Sequence, residues 1–200
     1  LTGELVVSTL QQFLPANVLQ LAQGDGTVGQ QLVEHKNIHF VAMTGSTATG
    51  RRIMEMAAPT AKKLVLEMGG KDPMIVFADA DLNLAAKDAV AYSLSNTGQV
   101  CCSIERIFVA ESIYDKFSEL VVKYAKEYKV GNGMDPEVQV GPLVSSMQCE
   151  RVRDHISDAI AKGAESLWQS AAPDSSECFH PVTVLGNVRD GMNMYREETF

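Results

Sequence analysis

An α/β fold is predicted by three observations. Short, almost wholly apolar runs alternate with stretches of helical periodicity, several of those runs stop at glycine, and several helices open on Ser, Thr or Asp. Such alternation argues for parallel strands joined by right-handed crossovers, because a parallel neighbour is reached only by crossing the sheet. Strands without polar alternation suit a sheet with helices on both faces.

In chain order, Leu5, Val6, Thr9, Leu10 and Phe13 recur at helical spacing. "LPANVLQLA" reads as a turn and a short strand. "GDGTVGQQLVEH" is Gly-rich and leads into a short helix. "IHFVAMTG" is a strand ending at Gly45, "STATGRRIMEMAA" a helix started by Ser46 and Thr47, and "KKLVLEMGG" a strand stopped by two glycines. The expectation is strand, helix, strand, helix, strand within residues 18–67. From Gly69 the pattern restarts, so the chain divides into residues 1–69 and 70–200. "PMIVFADADL" is a strand followed by an Asp81 cap, with Leu82, Ala85, Ala86 and Ala89 on one helix face. "RIFVA" is a strand, and the helix after it starts at Ser112, with Asp115 three residues on. Ile113, Phe117, Leu120, Val121, Tyr124 and Tyr128 form its apolar stripe. Ser145 and Gln148 open a later helix, which Gly163 closes.

Composition excludes several classes. The 200 residues are 46% hydrophobic and 21% charged, ordinary for a globular protein. A net charge of −8 argues against a nucleic-acid partner. No apolar run reaches the roughly 18 residues of a membrane-spanning helix, so no membrane partner is expected. "LTGELVVSTL" has no basic stretch ahead of its apolar residues and does not read as a signal peptide. Four cysteines, two adjacent, do not make a disulfide framework, which suits a reducing compartment.

Three stretches can carry chemistry. In "TGSTATG" a strand ends, Gly45 turns the chain and Ser46 starts a helix. Free amides and a positive dipole end suit a phosphate there, although capping alone explains the residues. In "LEMGG", Glu67 ends a strand, where ligands of open α/β sheets collect. Partial burial would make it a general base; otherwise it is a strand-end carboxylate pointing at water. In "SNTGQVCCSIER", Cys101 and Cys102 could be core filler, a redox pair, metal ligands or a nucleophile. A bond between neighbours would be strained. His35, His39, His155, His180, Cys149 and Cys178 supply no ligand spacing, so no metal is expected.

Taken together, "FVAMTGSTATG", "LEMGGKDPMIVFADADL", "NTGQVCCSIER" and "EETF" resemble, in order, the signatures of the aldehyde dehydrogenase superfamily. "VGPLVSSMQCERV" and "PVTVLGNVRDGM" match its later segments. The resemblance implies the end of a Rossmann-like, cofactor-binding half-domain followed by an α/β catalytic domain, both incomplete. By motif position, Cys101 matches the nucleophile and Glu67 the general base. Gly45 and Ser46 match the helix start beside the cofactor pyrophosphate, and Glu198 the carboxylate on the nicotinamide ribose. Gly69, in the Glu-x-Gly-Gly-Lys box, and Gly26, near the adenine end, complete the implied cofactor-binding set. The implied reaction is NAD- or NADP-dependent oxidation of a small-molecule aldehyde to an acid through a cysteine thiohemiacetal and thioester. A full-length homodimer or homotetramer is implied as well. The family's upstream Asn and Lys, and the segment after "EETF", are expected to be missing, and "SAAPDSSECFHPV" departs from the family's Gly-rich run. A non-catalytic relative serving as a scaffold subunit is the competing expectation.

Overall fold

The computed structural model describes residues 1–173 and 178–200; residues 174–177, inside the divergent "SAAPDSSECFHPV" loop, lie outside the described residues. The chain forms two compact units, Leu1–Met68 and Gly69–Phe200.

The first unit contains α1 (Thr2–Gln11), α2 (Gly26–Glu34), β1 (Phe40–Gly45), α3 (Thr47–Ala57) and β2 (Lys63–Met68). β1 and β2 pair in parallel, from Phe40 opposite Lys63 to Gly45 opposite Met68. The crossover is α3, as the apolar periodicity requires. Strand alternation sends Val41, Met43, Leu64 and Leu66 onto a small core of Val33, Ile53 and Ala57 from α2 and α3. The opposite strand face is bare, with Phe40 and Val65 exposed. The expectation of helices on both faces therefore fails among the described residues. α1 buries none of its residues, and Leu5 is 68% exposed.

Residues 18–22 form no strand, so βαβαβ is reduced to βαβ. An isolated strand has no ladder to satisfy its backbone groups. Here the Val18 amide closes a turn onto the Pro15 carbonyl, and the Leu19 carbonyl accepts from the Gln11 side chain.

The second unit runs β3 (Pro73–Val76), α4 (Leu82–Leu94), β4 (Arg106–Val109), α5 (Tyr114–Ala125), α6 (Ser146–Ala161), β5 (Glu165–Gln169), β6 (Thr183–Gly186) and α7 (Asn193–Arg196). β3 and β4 pair in parallel, Pro73 opposite Arg106; β5 and β6 pair antiparallel. Ala86, Ala89 and Val90 of α4 meet Phe117, Val121 and Ala125 of α5 in the main core, joined by Val76, Val130, Val140 and Val182. A cavity of about 560 Å³ is lined by residues of both β4 and β6, among them Ile107, Val109 and Val184.

Helix ends follow the local chemistry with one exception. Asp81 Oδ1 accepts the amides of Asn83 and Leu84 at 3.0 and 3.1 Å. Ser145 Oγ accepts the Gln148 amide, and Gly163 leaves α6 at φ +99°. Ser112 caps nothing. Glu111–Ile113 form a 3₁₀ turn, and α5 starts behind Ile113 without a side-chain cap. The turn's own i→i+3 bonds already occupy the first amides, leaving Ser112 no donor to serve.

Two outcomes follow. Asp81→Ala lowers the unfolding free energy by about 1 kcal/mol in urea titration, whereas Ser112→Ala stays within about 0.5 kcal/mol of the parent. His155, 5% exposed on α6, is held below the ordinary imidazole pKa chiefly by burial. The unfolded chain therefore takes up this proton first. The stability that depends on neutral His155 is complete above about pH 6.5 and is lost as pH falls. The urea midpoint drops as pH falls below about 6.5, and drops less in His155→Gln.

Candidate active site

In the first unit, parallel pairing decides which residues share an edge. Thr44 lies opposite Glu67 and Gly45 opposite Met68, so Gly45, Ser46 and Glu67 gather at the carboxyl ends of β1 and β2. Ser46 is the N-cap of α3; its Oγ accepts the Thr49 amide at 3.2 Å. The amides of Thr47 and Ala48 precede the first intrahelical bond and face outward from the helix start. Gly50 leaves room at this helix for the Met68 side chain, which a Cβ there would displace.

Glu67 is exposed. Of the two possibilities open for this carboxylate, partial burial or a strand end facing water, it takes the second. Alternation sets Glu67 on the same face as Val65, away from the helices onto which Leu64 and Leu66 pack. Gly26 stands apart, at the first turn of α2 behind its Asp25 cap, whose side chain accepts the Thr27 amide at 2.9 Å. A Cβ at Gly26 would meet nothing within 4 Å, so packing gives no reason for a glycine there.

In the second unit, α4 runs into the turn that presents the paired cysteines. Asn96, Thr97 and Gly98 have φ of +50°, +63° and +77°. A β-branched residue such as Thr97 in the left-handed region is strained and persists only where its surroundings fix it. They do so here. The Gly141 amide donates to Thr97 Oγ1 at 3.1 Å, and the Val144 amide to Gln99 Oε1 at 2.9 Å. Asn96 Nδ2 donates to the Gln99 carbonyl. A bridge between Val130 and Val140 folds this donor loop back on itself. Behind the turn, Ser93 Oγ donates to the Ile104 carbonyl at 2.7 Å, and Ser103 Oγ to that of Tyr92. Cys101 and Cys102 are both exposed, while Cys149 is buried. Among the described residues no group of three His, Cys, Asp or Glu could hold a metal.

Glu198 and Gly69 are brought together. A Cβ on Gly69 would run into the Glu198 carboxylate, so only glycine permits this approach. Burial, then the negative charge of Glu105, push the Glu198 carboxyl above the ordinary range, against the Gly70 amide and Arg151.

Sequence reasoning missed the polar cluster behind this carboxylate. Glu105 accepts the amides of Thr199 and Phe200 at 3.0 and 2.9 Å and pairs with Lys71. Lys71 Nζ also donates to Thr199 Oγ1 at 3.0 Å, which contacts His155 Nδ1 at 3.1 Å. The Arg106 guanidinium donates to the Lys71 carbonyl and to that of Tyr195. Its members are far apart in the chain, and no local pattern signals them.

The model of the aldehyde dehydrogenase family matches residues 1–200. A mitochondrial aldehyde dehydrogenase of Leishmania tarentolae is 40% identical over 200 residues, covering 99% of this chain and 40% of that protein. A betaine aldehyde dehydrogenase of Cereibacter sphaeroides is 39% identical over 187 residues, 94% of this chain and 39% of its own. The crystal structure of betaine aldehyde dehydrogenase from Staphylococcus aureus in complex with NAD+ superposes with a TM-score of 0.93 at 33% identity, over 100% of this chain and 41% of that one. The chain thus spans about two-fifths of the length of the relatives it matches. With its family signatures in order and its fold shared along the whole length, the chain belongs to the aldehyde dehydrogenase family.

Proposed function

We propose that this chain is the central part of an NAD(P)-dependent aldehyde dehydrogenase, in which Cys101 carries the substrate as a thioester. The observation that carries this reading is the accessible Cys101 thiol, just behind a strained turn held by side-chain bonds, in a chain of this family. Free cysteine without a chemical role is usually buried, as Cys149 is.

The Cys101 thiolate adds to the aldehyde carbon, and the carbonyl electron pair moves to oxygen, giving a thiohemiacetal. The Cys101 amide is the natural donor to that oxygen. A bound nicotinamide cofactor supplies the acceptor for the hydride that leaves this carbon as the thioester forms. Glu67 then takes a proton from water, the resulting hydroxide adds to the thioester, and the thiolate departs from the carboxylic acid.

The residues present fit such a cofactor. Glu198, half-buried against the side-chain-free Gly69, is an acceptor for ribose hydroxyls. The Gly45–Ser46 helix start offers amides to a pyrophosphate, and Gly26 is assigned to the adenine end. The relatives' names cover betaine aldehyde and succinate semialdehyde; for this chain the substrate class is an aldehyde, with NAD or NADP as oxidant. The full-length form is taken to be a homodimer or homotetramer. The apolar side chains bare on α1 need a cover, from the rest of the polypeptide or from a second subunit.

Mixing the longest form of the protein with NAD+ or NADP+ and an aldehyde panel produces the absorbance of the reduced cofactor; a folded protein with no signal on any aldehyde defeats the enzyme reading and leaves the scaffold one. Cys101→Ala abolishes turnover, while Cys102→Ala leaves it within a few-fold; the reverse pattern means the nucleophile is misassigned. Glu67→Gln retains a burst of about one equivalent of reduced cofactor, with a steady rate lower by about 10²-fold or more. Loss of the burst itself would put Glu67 before hydride transfer.

A further inference from the structure

We propose that the Lys71–Glu105 ion pair is a positioning clamp that fixes residues 197–200, and through them the Glu198 carboxylate, for cofactor binding. The inference rests on the assignment of Glu198 as a cofactor ligand. Neither clamp residue is given a role by the family motifs quoted above.

Three features lead to it. The pair is nearly enclosed, with side-chain exposures of 8% and 11%. Both Glu105 oxygens are engaged beyond the pair: Oε2 accepts the Thr199 amide and Oε1 the Phe200 amide. Lys71 Nζ holds Thr199 a second time, through its hydroxyl. The backbone immediately following Glu198 is thus gripped from two sides by one buried pair. The other wall of the Glu198 site is Gly69, two residues before Lys71 on the same strand approach, where no Cβ fits. One ion pair therefore anchors the chain in front of the carboxylate and the chain behind it.

Breaking one partner of such a pair leaves the other charge buried and unmatched. The segment it held then gains freedom that the cofactor must remove on binding. Lys71 and Glu105 need touch neither cofactor nor substrate for this, so they are positioning residues.

The test uses the longest form of the enzyme and NADH as the probe. NADH affinity is measured by fluorescence titration, and amide exchange by mass spectrometry. Glu105→Gln and Lys71→Met each weaken NADH binding about 10-fold, which corresponds to about 1.4 kcal/mol. Lys71→Arg, which keeps the pair, restores binding to within about 3-fold. In Lys71→Met, peptides covering 197–200 exchange faster while those covering α4 do not, which separates release of the segment from general destabilisation. If Glu105→Gln fails to fold, the Lys71 pair of variants decides the matter alone. NADH affinity unchanged in Lys71→Met, with Glu198→Gln weakening it, overturns the clamp and leaves Glu198 as a ligand. Unchanged affinity in Glu198→Gln overturns the assignment on which the clamp rests.

Discussion

Parallel strand register is the constraint from which both halves of this chain take their function. A parallel pair puts like ends side by side, so whatever precedes one strand lies next to whatever precedes the other. Pro73 sits opposite Arg106. The "GGK" approach to β3 and the "CCSIE" approach to β4 therefore run together, and the amides of Glu105 and Arg106 donate to the Asp72 carbonyl. Lys71 meets Glu105 for this reason. In the first unit the same logic works at the opposite ends, where Thr44 and Glu67 are partners. Shifting either register by one residue would turn the strand's side chains to the other face and separate these groups.

Strain and its compensation are concentrated near the paired thiols. Three successive left-handed residues, one of them Thr97, are costly in isolation. The hydrogen bonds from Gly141 and Val144 fix the turn, and the donor loop that supplies them is pinned to the main core by Val130 and Val140. The conformation of the turn thus depends on hydrophobic packing some 40 residues away in sequence. The bare surfaces have an equally simple cause. A βαβ unit with helices on one side leaves the other face of its sheet open, and among the described residues α1 buries none of its own. Such surfaces belong to a polypeptide whose relatives are more than twice as long.

Much of this was legible from residue order. Asp81, Ser145 and Ser46 cap the helices that their positions announce, because a cap is a contact over two or three residues. The apolar runs at 40–45, 63–68, 73–76 and 106–109 are strands, since each finds a neighbour. Residues 18–22 carry an equally apolar run and are not a strand; without a partner, a turn and a side-chain bond satisfy their backbone. Ser112 had the spacing of a capping box but lost its place to a 3₁₀ turn. The family motifs picked out Cys101, Glu67, Gly45, Ser46, Gly69, Gly26 and Glu198 as candidates, and said nothing of Glu105 or Thr199.

The sequence by itself determined the α/β class, the helix starts at Ser46, Asp81 and Ser145, and the family, because these depend on periodicity, on short-range hydrogen bonds and on motif order. The tertiary structure alone decided that Glu67 lies on the open face of its strand, that Gly69 must lack a side chain beside Glu198, and that Lys71 and Glu105 close on Thr199. Those outcomes depend on which strand ends lie side by side and how closely backbones approach. Contacts between residues 34 to 128 positions apart leave no trace in local pattern.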